Sequence, residues 1–344
     1  MSTPGHSLTM LLGMTTTLPP DTTSLAETAR RMTGDGRGIL AADESVKTMS
    51  SRLENEGIPS NETARRDYRE VLITADSLSE WVSGVIWCDE TFGQELSDGR
   101  TFPEAARDLG ILPGIKVDTG TSLLPHGGGA QVTEGLDGLG ARLASYAERG
   151  AAFAKWRAVF EVETITPYSA KVNGHALARY AALCQDHGIV PIVEPEVLCN
   201  GNHQIGASAQ ASRLALVSLF EELDEAGVDL AGVVLKPNFV TPGLGTGTAT
   251  APTVAAATFE VLRDSVPSAL SGIAFLSGGH ATEDVCEYLS ELNAIAGRPW
   301  PVTFSYGRAL VSDALRAWGG RPENVPAAQD KLLENCRWAA RATR

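Results

Sequence analysis

From about residue 22 onward, the chain alternates short apolar runs with segments whose apolar residues recur at helical spacing. Each apolar run is rich in Val, Ile and Ala and ends in polar residues, a pattern typical of buried parallel strands. Eight such runs are predicted as strands, at residues 38–45, 82–90, 111–118, 151–160, 189–197, 231–238, 272–279 and 301–307. Segments between them, such as 170–187, 214–223 and 254–262, repeat apolar residues every three or four positions and are predicted as helices.

This alternation predicts a parallel sheet with crossover helices. Eight such units without a break in composition predict an α/β fold, a single closed (β/α)8 barrel spanning residues 22–344. An open doubly wound sheet is the structural alternative, but it normally carries a glycine-rich turn after its first strand. Here that strand ends in Ala-Asp-Glu-Ser. The glycine-rich segments at 126–129 and 243–247 do not open a helix directly after a strand, so we interpret them as flexible turns.

Composition narrows the class of protein. The chain has 344 residues, 43% of them hydrophobic, and a formal net charge of −14, which argues against nucleic acid or an anionic membrane surface as the main partner. No apolar run is long enough to span a bilayer. The five cysteines include no CxxC pair, so we expect a reduced, intracellular protein. Residues 1–21, rich in Thr, Ser and Pro, are predicted to form a mobile N-terminal arm rather than a targeting segment.

Polar residues gather where the predicted strands end. In a barrel these ends meet at one rim, which is where such folds hold their active sites. The polar residues predicted there are Asp43, Ser45, Asp89, Glu90, Lys116, Asp118, Lys155, Arg157, Glu194, Glu196, Lys236, Ser277, Ser305 and Arg308. Residues i and i+2 of a strand share a face, so several of these side chains are expected to point into the mouth together. Any one pair could be a structural ion pair, but charges on most strands need compensation group by group, which favours an active site.

Lys236 ends the apolar run AGVVLK and is followed by a proline. Desolvation disfavours its charged form, and a neutral amine can form a Schiff base with a carbonyl substrate. The alternative is a lysine whose ammonium simply reaches water at the strand end. Lys155 and Lys116 are expected close enough to favour the neutral form by like-charge repulsion. The carboxylates expected to supply general acids and bases are those of Asp43, Glu194 and Glu196.

Two anion sites are predicted on either side of this amine. One lies in the loops after the seventh and eighth strands, where glycine allows close approach of backbone N–H groups, and comprises Ser277, Gly278, Gly279, Gly307 and Arg308. The other is formed across the mouth by Arg52, Lys116 and the hydroxyl of Ser45. Arg157 and Ser305 complete the candidate substrate-binding residues. Two anion sites flanking one amine indicate a linear sugar bisphosphate as the small-molecule partner.

These residues resemble the class I fructose-bisphosphate aldolase family. The matching runs occur in order, at 38–45, 114–118 (GIKVD), 153–157 (FAKWR), 189–196 (IVPIVEPE), 235–242 (LKPNFVTP), 275–279 (FLSGG) and 303–310 (TFSYGRAL). The resemblance implies a TIM barrel and a lyase that needs no metal or other cofactor. It implies reversible cleavage of fructose 1,6-bisphosphate into dihydroxyacetone phosphate and glyceraldehyde 3-phosphate, in glycolysis and gluconeogenesis. It also implies a cytoplasmic homotetramer.

The resemblance assigns roles to individual residues. It implies that Lys236 forms the Schiff base, that Glu194 is the general acid/base with Glu196 supporting it, and that Asp43 takes part in carbon–carbon cleavage. Lys155 is implied in proton transfer and imine formation. The implied phosphate ligands are Arg52, Ser277, Gly278, Gly279 and Arg308, and Ser45 and Lys116 match further active-site positions.

Three departures from the family pattern bear on substrate preference. Ser51 stands where the family often has a lysine, so one phosphate site is expected to be weaker. His280 replaces a common glutamine, which we interpret as neutral. The sequence ends at Arg344, without the tyrosine-ended tail of animal and plant members. We therefore expect another group to take over that tail's proton transfer, or the role to be absent, and the preference for bisphosphate over monophosphate stays open.

Three alternatives remain. A metal-dependent aldolase would need histidines and carboxylates converging on zinc. None of the six histidines lies within a predicted strand, so each is expected in a loop or at the surface, and no metal site is predicted; they are His6, His126, His175, His187, His203 and His280. The second alternative is another Schiff-base aldolase that acts on a sugar monophosphate. The third is a catalytically inert barrel used as a binding scaffold.

Overall fold

The computed structural model describes residues 22–247 and 249–344, so the predicted arm at 1–21 lies outside the described residues. The strands are β1 (Gly38–Ala42), β2 (Val82–Trp87), β3 (Leu112–Lys116), β4 (Thr121–Leu123), β5 (Gln131–Thr133), β6 (Phe153–Phe160), β7 (Val190–Val197), β8 (Val234–Leu235), β9 (Gly272–Phe275) and β10 (Val302–Tyr306). The helices are α1 (Thr22–Thr33), α2 (Val46–Asn55), α3 (Glu62–Ile73), α4 (Asp89–Phe92), α5 (Phe102–Asp108), α6 (Leu139–Glu148), α7 (Pro167–Asp186), α8 (Ile205–Glu225), α9 (Ala251–Ser265), α10 (Thr282–Ala294), α11 (Arg308–Trp318) and α12 (Val325–Arg341).

Eight strands close into a parallel barrel in the order β1-β10-β9-β8-β7-β6-β3-β2. They are the eight strands that the apolar runs predict, so the single (β/α)8 barrel is confirmed. Six of the eight predicted runs extend past the C-terminal ends of the observed strands, because polar residues there leave the hydrogen-bonded ladder for the loops at the rim, whereas β6 and β7 end at the predicted residues 160 and 197. The antiparallel hairpin β4–β5 was not predicted, since its two short strands are polar and carry no apolar alternation.

Helix α1 closes one end of the barrel. Leu25, Ala29 and Met32 on this helix pack into a cluster with inward-facing strand residues such as Ile39 and Phe153. Burying this apolar face against the barrel floor is what fixes the helix there. The opposite end, where the strands terminate, stays open to solvent and carries the polar loops.

Two further predictions concern the cysteines and membrane-spanning segments. All five cysteines are buried and free of disulfide bonds. No helix within 22–247 and 249–344 is both long and apolar enough to cross a bilayer.

The barrel interior is filled by aromatic rings that rest on glycines. Gly114 on β3 is paired in register with Phe153 on β6. A Cβ atom added at Gly114 would lie 2.2 Å from Cζ of the Phe153 ring, and one at Gly84 would lie 2.9 Å from its Cε1. The ring therefore occupies the space that side chains at those positions would need, and the two glycines are required by packing.

We predict that Gly114→Ala lowers the free energy of unfolding by about 1–3 kcal/mol, because the new methyl group overpacks the barrel interior. Gly206→Ala is the matched control: this glycine is exposed in α8, with no atom within 4 Å of an added Cβ. It should be neutral or stabilising by up to about 1 kcal/mol, since alanine favours helix. Chemical denaturation of both variants measures the difference, and equal effects would contradict this account of the packing.

Candidate active site

A cavity of about 370 Å³ opens at the C-terminal ends of the strands. Every residue that the sequence predicts for catalysis or substrate binding lines it, except Gly279. The predicted residues at the cavity are Asp43, Ser45, Arg52, Lys116, Lys155, Arg157, Glu194, Glu196, Lys236, Ser277, Gly278, Ser305, Gly307 and Arg308. The structure therefore brings together residues that are far apart in sequence, and the most distant pair, Asp43 and Arg308, is separated by 265 positions.

Two buried lysines and two carboxylates form a chain of ion pairs in the middle of this cavity. Lys155 Nζ lies 2.7 Å from Asp43 Oδ2 and 3.1 Å from Glu194 Oε2. Lys236 Nζ lies 3.2 Å from Glu194 Oε1, so Glu194 stands between the two ammonium groups. The side chains of both lysines and of Glu194 are no more than 5% exposed. The four charges balance one another, which is what burial of charge requires.

Neighbouring strands bring these groups together. Lys155 lies on β6, Glu194 on β7 and Lys236 directly after β8, and these three strands are adjacent in the barrel. The backbone N–H of Lys236 donates to the Val193 carbonyl at 2.8 Å, which extends the β7–β8 pairing to the lysine. Pro237 then has no N–H to continue the ladder, so the lysine stands at the rim.

One oxygen of Glu194 is left without a directed hydrogen bond. Although Lys155 Nζ is 3.1 Å from Glu194 Oε2, that oxygen accepts no well-aligned hydrogen bond from any described residue. The contact is therefore an ionic attraction, and the oxygen keeps lone pairs available for a hydroxyl group of a ligand.

The ion pairs set the protonation of the cluster. Burial by itself would raise the pKa of Asp43, but the ammonium groups of Lys155 and then Lys236 outweigh it and hold that pKa well below its usual range. The same balance, with burial opposed by Lys155 and Lys236, lowers the pKa of Glu194. Burial would lower the pKa of Lys155, yet Asp43 and Glu194 raise it far above its ordinary value. The carboxylates are thus held ionised, and Lys155 is held protonated.

An anion cradle follows β9. Ser277 and Gly278 line the cavity. The backbone turns through Gly278 and Gly279 with φ of 58° and 93°, a conformation that residues other than glycine rarely adopt. Gly279 itself does not line the cavity, so its part in binding phosphate stays a prediction. Its Cα lies beside the guanidinium of Arg308, where an added Cβ would be 3.0 Å from Nη2.

The cradle continues after β10. Gly307 precedes α11, and Arg308 is the first residue of that helix, so unsatisfied N–H groups and the positive end of the helix dipole lie at the cavity. The hydroxyl of Ser305 is buried and has no hydrogen-bond partner among the described residues. These groups together can receive a phosphate.

Across the mouth, the predicted cations are already paired. Arg52 on α2 forms an ion pair with Glu44. Lys116 Nζ lies 2.6 Å from Asp118 Oδ1 and 2.7 Å from the Asp118 carbonyl oxygen. Ser45 is the N-cap of α2, and its hydroxyl accepts the N–H of Thr48 at 3.2 Å. A ligand on this side must therefore compete with contacts within the protein.

Arg157 and Glu196 form a further ion pair at the rim, so both are engaged with each other. The crowding of Lys236 by like charges that the sequence predicts is also offset, because Lys155 and Lys116 each carry a carboxylate partner.

Two strand-end residues do not belong to the site. Asp89 and Glu90 form the first turn of α4 instead of the end of β2. Carboxylates favour a helix N-terminus, and both side chains find partners there. Glu90 forms an ion pair with Arg65, and the hydroxyl of Tyr146 donates to Asp89 at 2.7 Å. β2 therefore supplies no charged side chain to the cavity.

Sequence reasoning did not select several residues that shape the site. Glu44 and Asp118 line the cavity as partners of its cations, and Thr48 and Thr121 line it as well. Asp118 is one of the predicted strand-end residues, and Glu44 lies within the AADES run, so the position of each in the sequence indicates that it lies near the rim. The thiol of Cys199 donates to the carbonyl of Gly278 and thereby supports the cradle, which no sequence pattern indicated.

None of the five histidines that the structure describes lines this cavity. Among the described residues, no group of three or more His, Cys, Asp or Glu side chains is placed to hold a metal ion. His203 lies in a loop, as expected, and is buried there. His280 lies 3.3 Å from the Thr241 hydroxyl and outside the cavity lining.

A closed (β/α)8 barrel with two buried, carboxylate-paired lysines and an anion cradle at its open end defines a class of protein, the barrel lyases that work with side-chain amines. Comparison with known proteins makes the class specific. The chain belongs to the class I fructose-bisphosphate aldolase family: the family model described as "Glycolytic: Fructose-bisphosphate aldolase class-I" matches residues 24–344. Class I members are metal-independent lyases, so the predicted family and enzyme class are confirmed.

Individual relatives agree. A "probable fructose-bisphosphate aldolase class 1" of Xanthomonas campestris pv. campestris is 46% identical over 317 residues, covering 91% of this chain and 95% of the relative. "Fructose-bisphosphate aldolase, cytoplasmic isozyme 2" of Pisum sativum is 44% identical over 312 residues, covering 90% and 87%. A solved structure of fructose-bisphosphate aldolase from Plasmodium falciparum, in a ternary complex with TRAP and a small-molecule inhibitor, superposes with a TM-score of 0.91 at 40% identity, covering 93% and 94%.

The buried ion pairs predict how stability depends on pH. A carboxyl group whose pKa is lower in the folded than in the unfolded chain stabilises the fold above its unfolded pKa of about 3.9, and this contribution is lost as pH falls toward the folded value. Asp43→Asn should therefore lower the free energy of unfolding by roughly 3 kcal/mol near pH 7, because Lys155 loses one of its counter-charges. Below about pH 4, the free energies of unfolding of the variant and the parent protein should become more similar.

Urea denaturation at a series of pH values measures this difference. Asp76→Asn, which removes an exposed carboxylate outside the site, is the control and should show no such narrowing. A cost of Asp43→Asn that stays constant from neutral to acid pH would contradict the ion-pair account.

Proposed function

We propose that the chain performs reversible aldol cleavage of fructose 1,6-bisphosphate to dihydroxyacetone phosphate and glyceraldehyde 3-phosphate through an imine on Lys236. The observation that carries this assignment is the chain of buried charges running from Asp43 through Lys155 and Glu194 to Lys236. It places an amine beside groups that can give and take protons. Family membership supports the substrate, and the cations on two sides of the cavity support two positions for its phosphates.

In the proposed reaction, the neutral amine of Lys236 attacks the ketose carbonyl carbon to form a carbinolamine. Loss of water then gives a protonated imine, for which Glu194 serves as general acid/base, with Glu196 beside it and Lys155 holding a proton nearby. The imine accepts the electron pair of the breaking carbon–carbon bond, while the carboxylate of Asp43 receives the proton of the hydroxyl on the departing carbon. Protonation of the resulting enamine and addition of water release the second product and restore the amine.

The order of strands orients the substrate. The imine carbon is one carbon away from the nearer phosphate-bearing position and several carbons away from the other. The cradle of Ser277 and Gly278 follows β9, which is adjacent to β8 and Lys236. Arg52 follows β1 and Lys116 ends β3, and each of these strands is three strands from β8 around the barrel. We therefore assign the near phosphate to the cradle, with Arg308, and the far phosphate to Arg52, Lys116 and Ser45.

Further proposals follow from the family. We propose residues 22–344 as the catalytic unit, acting in the cytoplasm as a homotetramer on small sugar phosphates in glycolysis and gluconeogenesis. The relative from Pisum sativum, a cytoplasmic isozyme, supports the compartment. Light scattering would give the mass of the assembly, and a monomer would contradict the tetramer.

The first test is reductive trapping. Incubating the protein with dihydroxyacetone phosphate and borohydride should attach the reduced adduct to Lys236, because hydride converts an imine to a stable amine. Lys236→Met should lose both labelling and cleavage activity while keeping the circular dichroism spectrum of the parent. Lys47→Met, which removes an exposed lysine on α2, should keep both.

Peptide mapping by mass spectrometry locates the adduct. A label on a different lysine, or cleavage that survives in Lys236→Met, would refute the assigned nucleophile. The absence of any adduct and of any cleavage would favour the inert-scaffold alternative.

The second test concerns the cradle. Arg308→Ala should raise KM for fructose 1,6-bisphosphate by a factor corresponding to about 1.5–3 kcal/mol, since a charge-assisted hydrogen bond to phosphate is lost. Arg341→Ala, which removes an exposed arginine at the end of α12, is the control and should leave KM unchanged. Steady-state kinetics measures both, and an unchanged KM in Arg308→Ala would count against the cradle.

A further inference from the structure

The cations of the cavity differ in whether a carboxylate already neutralises them. Those in ion-pair contact with a carboxylate are Arg52, Lys116, Lys155, Arg157 and Lys236. Arg308, which also lines the cavity, has no such partner within residues 22–247 and 249–344. The near phosphate thus meets an unengaged guanidinium, whereas the far phosphate meets cations that are already paired.

Glu44 is the carboxylate that neutralises Arg52, and a second arginine holds it from behind. Its side chain is 8% exposed, forms an ion pair with Arg52 and has Oε2 3.9 Å from Nη2 of Arg69. Arg69 is fully buried and donates to the carbonyl oxygens of Ala42 at 3.2 Å and of Glu44 at 2.8 Å. A buried guanidinium needs a counter-charge. Arg69 therefore keeps Glu44 at the edge of the cavity even when Arg52 turns to a ligand.

A phosphate that approaches Arg52 places a second anion beside Glu44. Two like charges at contact distance repel, and the repulsion is strong where solvent is partly excluded. The phosphate must also displace the Glu44 carboxylate from the N–H groups that it occupies on Arg52. Both effects subtract from the attraction that Arg52 would otherwise contribute.

We propose that Glu44 is a specificity-determining residue that competes with the far phosphate for Arg52, an inference that rests on the proposed aldolase function. Glu44 lowers the advantage of a bisphosphate over a ketose that carries only the near phosphate. A ketose that carries only the near phosphate would use the Arg308 cradle and leave the Glu44–Arg52 pair intact. Removing the carboxylate charge makes the site more selective for the bisphosphate.

The experiment compares kcat/KM for fructose 1,6-bisphosphate and fructose 1-phosphate in the parent and in Glu44→Gln. We expect the ratio of the two values to rise about tenfold in Glu44→Gln, the factor that corresponds to about 1.4 kcal/mol. The change should come from a lower KM for the bisphosphate, with fructose 1-phosphate kinetics unaltered. Glu56→Gln removes an exposed carboxylate at the end of the same helix and should leave the ratio unchanged.

Arg52→Gln gives an independent measurement. Because Arg52 is the group for which Glu44 competes, the ratio should fall in Arg52→Gln, and Glu44→Gln should add nothing in the Arg52→Gln background. If Glu44→Gln leaves the ratio unchanged, lowers it, or raises it equally in the Arg52→Gln background, the competition does not exist. An equal rise in Glu56→Gln would reduce the effect to general electrostatics and also overturn the proposal.

Failure of the proposed function is a separate result. If borohydride trapping does not label Lys236, the proposed mechanism is refuted, and the ratio of the two kcat/KM values no longer tests Glu44. If labelling and cleavage occur and the ratio does not respond to Glu44→Gln, only the role of Glu44 is refuted. Should Glu44→Gln not fold, Glu44→Asp takes its place: the shorter side chain weakens the contact with Arg52, so the ratio should rise, and an unchanged or lowered ratio would overturn the proposal.

Discussion

The alternation of charge from Asp43 to Lys155 to Glu194 to Lys236 is the interaction on which the rest of the site depends. Each of these groups is costly to bury alone, and each is compensated only by its neighbours in the row. Well-packed apolar residues would often be as stable or more stable in their place. The proposed chemistry gives a reason for the charges, because paired amines and carboxylates can pass protons to one another. In that proposal the row contributes to catalysis more than to stability.

The closed barrel makes this row possible because it fixes which strands are neighbours. β6, β7 and β8 place Lys155, Glu194 and Lys236 side by side, while the loop after β1 brings Asp43 from the opposite wall. Closure also gives the mouth two distinct sides relative to Lys236. In the proposed mechanism, a linear substrate joined to that amine has a short arm and a long arm, and only one orientation matches both arms to the two sides.

Part of this arrangement could be predicted from sequence. The apolar runs indicated all eight barrel strands, and the alternation of side chains correctly placed Lys155, Arg157, Glu194 and Glu196 at the mouth. Local rules failed where another local preference was stronger, as with Asp89 and Glu90, whose carboxylates suit the N-terminus of α4. They also failed where the packing of a helix beside the rim decides. That Arg52 meets Glu44 depends on how α2 packs beside the rim, which no periodicity encodes.

This last failure has a physical consequence for how phosphate sites are judged. The sequence predicts an anion site on each side of the mouth, because each side carries arginine or lysine, and one of the two is expected to be weaker only because Ser51 stands where the family often has a lysine. The ion pairs make the two sides unequal: Arg308 is unengaged among the described residues, whereas Arg52 and Lys116 are each held by a carboxylate. Affinity for a charged group depends on the difference between what a cation gains from the ligand and what it gives up within the protein. The carboxylates beside the cations, as much as the cations themselves, therefore set which sugar phosphates the cavity accepts.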